Sequence, residues 1–139
     1  MGLTMKRMTE PNRHTDDTVK LLPRLAGEEF CYLTTIGRVS GRPHEIEIWF
    51  AIREGRLYLL SGGGNGSDWV KNLIKHPSVT VRIANHIFSG TARIVSDPGE
   101  DALARPLLAA KYQEWNEDKS LSQWARTALP VAIDFHQGE

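Results

Sequence analysis

Cysteine is all but missing. Cys31 is the only one in 139 residues, so no internal disulfide can form. It lies in an apolar, β-branched run, which marks a small buried hydrophobe rather than a reactive thiol. A charge excess is missing too: Lys plus Arg number 17, and so do Asp plus Glu. Such a balance creates no overall field to draw in nucleic acid or an anionic membrane. No apolar run approaches the length of a membrane span. Residues 1–14 are polar and basic without an apolar core, which argues against a secretory signal and reads as a mobile arm. A cytoplasmic protein with no integral membrane segment is the default expectation. The five histidines, His14, His44, His76, His86 and His136, are scattered, and none stands at ligand spacing from another or from Cys31, so no metal site is expected. No Gly-x-Ser-x-Gly elbow is present. Glu45 and Glu47 share a strand face, where solvation explains them better than an acid–base dyad does. A domain without nucleophile, metal site or acid–base pair is either not an enzyme or takes its chemistry from a cofactor.

What is present fits one domain, residues 15–139, long enough for a single core. Thr15-Asp16-Asp17 reads as a helix start, with Pro23 as a kink or early stop. Strands are expected over Phe30–Ile36, His44–Arg53, Leu57–Ser61, Val79–Ile83, Phe88–Val95 and Val131–Phe135. In the second, Ile46, Ile48, Phe50 and Ile52 alternate with Glu45, Glu47, Trp49 and Arg53. Glu54-Gly55-Arg56 makes a hairpin turn. Gly90 marks a bulge or a close backbone approach. Asp68 to His76 is amphipathic and helical, stopped by Pro77. Asp97-Pro98-Gly99-Glu100 is a helix start with an acid cap and Pro at the first position; Pro106 breaks or restarts that helix. Leu121, Trp124, Ala125 and Ala128 make another helical face, which Pro130 ends. Hairpin-linked strands with few helices predict a mainly β (α+β) fold, a small antiparallel barrel with helices outside.

Two glycine-bearing connections stand out. Thr34-Thr35-Ile36-Gly37-Arg38-Val39-Ser40-Gly41-Arg42-Pro43 joins the first two strands. Its arginines, serine and free amides are all donors, so it suits an anion; a hairpin loop with solvated arginines is the plainer reading. Gly62-Gly63-Gly64-Asn65-Gly66-Ser67 sits between a strand and a helix N-terminus, the context of many phosphate sites. It is neither a dinucleotide fingerprint nor a P-loop, and Asp68 in the first helical turn competes with an anion there. Trp49, among polar neighbours, either caps the barrel wall or stacks on a flat ligand.

Taken in order, Thr-Thr-Ile-Gly-Arg-x-Ser-Gly-x-Pro, a strand with an aromatic, Arg-Leu-Tyr-Leu-Leu-Ser-Gly-Gly-Gly, Asp-Trp-Val-Lys-Asn-Leu and His-Pro-x-Val-x-Val resemble the deazaflavin (F420)-dependent nitroreductase or quinone reductase family. That family is similar to the flavin-binding split β-barrels related to pyridoxamine phosphate oxidase. The resemblance is close over residues 32–83 and looser towards Tyr112, Trp124 and Pro130. It implies a split barrel binding coenzyme F420 in a groove. By that analogy Arg38, Ser40, Gly41, Arg42 and His44 face the anionic tail, and Ser61, Gly62 and Gly63 lie near the phosphate or ring. Trp69 and Asn72 line the same groove, and Trp49 stands near the ring. Tyr112 walls the substrate side, with Trp115 close by, and these two are the candidates for a catalytic role. The implied reaction is hydride transfer from carbon 5 of the reduced deazaflavin to a quinone, nitro compound or other activated small-molecule acceptor.

The chain departs from the family pattern at three points. Val39 replaces a lysine, His44 an arginine and Gly62 a lysine. Each lost charge-assisted contact is worth roughly 1.5–3 kcal/mol, about tenfold or more in affinity; Arg42 can compensate for one. The polyglutamate tail is then held less tightly, or the protein uses FMN, whose single phosphate needs fewer donors. A non-catalytic module holding flavin, heme or an apolar ligand is the alternative from a different class. Split barrels of this kind often pair, so a homodimer stays open. The resemblance requires Arg38 and Ser61 to lie on the same side of the fold, joined by a cleft.

Overall fold

The computed structural model describes Thr18 and residues 20–136. The expected arm over residues 1–14 and the helix start at Thr15-Asp16-Asp17 lie outside the described residues. After a short helix, α1 (helical at Thr18 and over residues 20–25), come seven strands: β1 (Cys31–Ile36), β2 (Pro43–Ile48), β3 (Ala51–Arg53), β4 (Arg56–Ser61), β5 (Ser78–Ile83), β6 (His86–Ile94) and β7 (Leu129–Phe135). Helix α2 (Asp68–Lys75) lies between β4 and β5; α3 (Pro98–Tyr112) and α4 (Gln123–Thr127) lie between β6 and β7. All seven strands join one sheet in the order β2-β1-β5-β6-β7-β4-β3, every pair antiparallel.

The run His44–Arg53, expected as one strand, is two. Trp49 and Phe50 separate β2 from β3, and these two strands form opposite margins of the sheet. Laid flat, seven strands would span about 29 Å at ~4.8 Å each. The link from Ile48 to Ala51 reaches at most about 11 Å. The sheet must therefore curl until its margins almost meet, giving a half-open barrel. The alternation of the sequence ran unbroken through this point because the chain stays extended while it changes sides.

The curl creates two cores. Inside it lie Leu33, Phe50, Leu57, Leu59, Val81 and Ile133, with Leu73 of α2. Outside, Ala51, Tyr58, Leu60 and Ala132 pack under Ala104 and Leu108 of α3. β4 is thus buried on both faces after Arg56, which is why Leu57-Tyr58-Leu59-Leu60 is apolar without interruption. The small residues Ala51, Ala104, Ala128 and Ala132 let α3 and α4 approach the sheet.

Local signals explain most boundaries. Glu54 and Gly55 both take positive φ (52° and 77°), the primed hairpin turn that joins β3 to β4. The Asp97 carboxylate accepts from the Glu100 amide at 2.8 Å and caps α3. A Cβ on Gly90 would sit 2.7 Å from Ile133 Cγ2 and 2.9 Å from the Asp134 carbonyl oxygen, so this is a close approach of β6 to β7. Two prolines behave otherwise than expected. Pro106 lies within α3, which continues through it to Tyr112. Pro130 belongs to β7, opposite Leu60, and its carbonyl accepts from Val95. Proline tolerates this place near a strand's start, where few ladder donors are needed.

Candidate functional site

The β1–β2 loop closes on itself. Gly37 donates to the Arg42 carbonyl at 2.8 Å and Gly41 to the Gly37 carbonyl at 2.9 Å. Gly41 has φ 72°, the conformation glycine adopts without strain. Any Cβ on Gly37 would lie 2.5 Å from Ser40 Oγ and 2.8 Å from His44 Nε2, so Ser40 and His44 stand against a bare backbone. Ser40 Oγ accepts from the Arg42 amide at 3.1 Å and lies 3.4 Å from His44 Nε2. Arg42's guanidinium and the Val39 and Ser40 amides make no hydrogen bond among the described residues.

Asn72 anchors this loop to α2. Its Oδ1 accepts from the Arg38 amide at 3.1 Å and from Arg38 Nη1 at 2.8 Å, while its Nδ2 donates to Thr35 Oγ1 at 3.2 Å. Asn72 is 5% exposed and Thr35 1%, so this polar set is buried and satisfied. Arg38 Nη2 also pairs with Asp68 Oδ1 at 3.2 Å. The glycine-rich loop reaches the same place from the other side. Ser61 Oγ donates to the Gly64 carbonyl at 3.1 Å and lies 2.8 Å from Ser67 Oγ. Ser67 is the N-cap of α2 and Asp68 its first residue. Arg38 and Ser61 therefore meet neighbouring residues at one helix end, on one side of the fold.

Two hollows flank this junction. A polar groove of about 530 Å³ is lined by Gly37, Arg38, Ser40, His44, Trp69 and Asn72, among others. An apolar cup of about 490 Å³ is lined by Phe30, Ile48, Trp49, Leu60, Gln113 and Trp124, with Glu47. β2 contributes to both, with Glu45 and Ile46 in the groove and Glu47 and Ile48 in the cup. At ~3.3 Å per residue, the strand runs about 13 Å from His44 in the groove to Ile48 in the cup.

The cup is built from packed rings. Trp49 stacks on Tyr112, centroids 4.3 Å apart and planes within 3°, and meets Trp124 edge-on at 5.5 Å. A Cβ on Gly62 would touch the Trp124 ring at 3.5 Å, so the glycine loop borders the cup. Tyr112 Oη accepts from the Phe50 amide at 3.0 Å and lies 2.8 and 2.9 Å from the Glu29 and Phe50 carbonyl oxygens, to which its proton can be donated. Burial pushes its phenol up to about 12. Lys111 Nζ donates to the Phe50 carbonyl at 2.9 Å and lies 3.6 Å from the Phe50 ring centroid. Desolvation pulls this ammonium down to about 8. Burial pushes the Cys31 thiol up to about 12, so it is an inert core group.

The family described as F420H(2)-dependent quinone reductase matches residues 5–135. The chain belongs to that family. Among solved structures, a conserved hypothetical protein of Mycobacterium tuberculosis is 21% identical, with a TM-score of 0.70 over 82% of this chain and 77% of that one. A putative pyridoxamine 5'-phosphate oxidase of Listeria innocua is 16% identical, with a TM-score of 0.63 over 86% and 94%. An F420-H2 dependent reductase is 18% identical, with a TM-score of 0.58 over 75% and 92%. These likenesses are of fold: the split barrel is shared between deazaflavin reductases and pyridoxamine phosphate oxidase-like proteins.

Against this F420H2-dependent family, the residues singled out in the sequence fall into three groups. Arg38, Ser40, His44, Trp69 and Asn72 line the groove, and Gly41 and Arg42 belong to its loop. Ser61, Gly62 and Gly63 form the junction, where Ser61 is 2% exposed and holds the loop rather than facing outward. Trp49 enters the cup, with Tyr112 behind it. Trp115 is not drawn into the ring cluster; its indole donates to the Lys119 carbonyl at 2.9 Å. In the sequence Trp124 shows only as part of a helical face and of the looser end of the resemblance, although it lines the cup, and Lys111 carries no signal there. Only the fold brings Trp124 to Trp49, 75 positions away, so spacing carried no signal. No helix among the described residues is long and apolar enough to cross a membrane.

Proposed function

We propose that this protein is an F420H2-dependent oxidoreductase that reduces a quinone, nitro compound or similar activated acceptor. The observation that carries the reading is that one strand, β2, borders both hollows in succession, with His44, Glu45 and Ile46 in the groove and Glu47 and Ile48 in the cup. An elongated molecule with an anionic tail and a planar ring system requires that pairing. The donor set fits such a tail: Arg42, the Ser40 hydroxyl, His44 and the Val39 and Ser40 amides have donors to spare. Trp49, Trp124, Ile48 and Leu60 offer flat apolar surface for a ring. The bound deazaflavin supplies the hydride chemistry. The chain's own residues bind, orient and exclude water. Tyr112 positions Trp49 rather than moving protons, because its hydroxyl is engaged by backbone groups and its pKa is raised. Localisation in the cytoplasm accords with this reading.

A second reading is favoured by one feature. Asp68 neutralises Arg38, and Arg82 lies 3.6 Å from Glu45, which also borders the groove. The groove is therefore close to neutral and suits a ligand with few charges, such as FMN. Titration of the protein with F420 and with FMN, followed by fluorescence, separates the two. For the deazaflavin reading, F420 binds more tightly, Arg42→Ala weakens it about tenfold, and menadione oxidises the reduced coenzyme faster with protein than without. Tight FMN binding without F420 binding refutes it. Binding without faster oxidation makes the protein a holding module.

A further inference from the structure

We infer that Lys111 is a positioning residue, which fixes the β2–β3 crossover so that Trp49 stands as a rigid wall of the cup. The proposal rests on the reading of the cup as the ring site, but its structural half is testable without any cofactor.

Trp49 and Phe50 belong to no strand, so the sheet ladder does not hold them. Helix α3 holds them instead. Tyr112 bonds both the amide and the carbonyl of Phe50 and stacks under Trp49. Lys111 takes the same carbonyl and lies over the Phe50 ring and 5.0 Å from the Tyr112 centroid. Lys111 is only partly exposed, and no carboxylate pairs with it among the described residues. Its position in the last turn of α3 suits a cation, since the helix dipole is negative there. A half-buried ammonium held by one carbonyl and two ring faces depends on its charge for much of that grip. Losing the proton weakens the hold on Phe50 and loosens its neighbour Trp49.

The titratable groups facing Lys111 are the Cys31 thiol of β1, Glu28 before that strand, and Tyr112, which Glu29 also approaches. The thiol and phenol are held up near 12. Of Lys111, Cys31 and Tyr112, it is Lys111 that changes charge between pH 7 and 10.

The test uses protein labelled with 15N-tryptophan. Four indole signals are expected, and the one lost in Trp49→Phe is that of Trp49. In the wild type this signal moves through a step centred near pH 8. The step disappears in Lys111→Met and in Lys111→Arg, which keeps the cation but does not titrate there. Lys111→Arg also serves if the methionine variant fails to fold. In turnover with reduced F420 and menadione, Lys111→Met lowers kcat/KM roughly 10- to 100-fold, and Lys111→Arg recovers most of it. A Trp49 signal without the step, or one that keeps it in both variants, overturns the proposal. So does the step with unchanged kcat/KM in Lys111→Met. A wild type that shows the step but never oxidises the coenzyme sinks the reductase reading while the clamp stands.

Discussion

Replacing Asn72 tests whether the groove's loop is held from α2. Asn72→Ala removes the donor to Thr35 Oγ1 and the acceptor of two Arg38 bonds. Thr35 is 1% exposed, so leaving its hydroxyl without this partner costs about 1–3 kcal/mol. The Arg38 bonds are part-buried and water can replace them, at roughly 0.5–1.5 kcal/mol each. Alanine's better helix propensity returns about 0.6 kcal/mol. The net loss is about 1.5–5.5 kcal/mol, which at about 2 kcal/mol/M moves a urea midpoint down by roughly 1–3 M. Asn72→Asp is the informative partner. Its carboxylate keeps both Arg38 bonds, now charge-assisted, and accepts from the Thr35 hydroxyl in place of donating to it. Its stability should stay within about 1 kcal/mol of wild type, while the added charge repels an anionic tail and weakens F420 about tenfold. Urea unfolding followed by tryptophan fluorescence measures the first effect and coenzyme titration the second. An unchanged midpoint in Asn72→Ala, or an equal loss in both variants, refutes the idea that this side chain is the loop's anchor.

Two further outcomes follow from the fold. Glu100 is gripped by Arg93 at 2.8 and 2.9 Å and by the Tyr58 hydroxyl at 2.7 Å, and Arg93 holds its carboxyl down at about 2. A depressed carboxylate stabilises the fold above its unfolded value near 4.5 and loses that contribution as pH falls towards 2. Thermal melts between pH 6 and 2 should therefore show a drop that is smaller in Glu100→Gln, and parallel curves would disprove the linkage. Gly90→Ala places a methyl group against Ile133 and the Asp134 backbone; a loss of about 1–3 kcal/mol in chemical unfolding is expected, and a neutral result would show that β6 and β7 can part freely.

Legibility in the sequence followed the range of the forces involved. The β3–β4 turn and the Asp97 cap are set by residues within a few positions, and each is readable; Gly90 is marked by standing alone in a strand pattern, although the residues it approaches, Ile133 and Asp134, are more than forty positions away. The two glycine loops were readable as binding connections because donors and glycines cluster in them. Three features were not. Strand alternation continued through Trp49-Phe50, although the chain changes sheet margin there, because periodicity reports facing and not pairing. Pro106 suggests a break or restart of the helix, but packing of α3 on β4 and β7 outweighs one lost hydrogen bond. The role of Arg38 was half visible: its cationic character was plain, but its commitment to Asn72 and Asp68 required the contact between loop and helix.

The two-residue bridge between β2 and β3 has a bearing on self-association. Exposed strand margins invite pairing with another chain, and a flat seven-stranded sheet would display two of them far apart. Here the same short leash restrains both, so neither can extend or slip by a residue without dragging the other. An insertion between Trp49 and Phe50 would slacken the leash and free both rims at once. The earliest symptom of such a lesion would be aggregation, ahead of any fall in intrinsic folding energy.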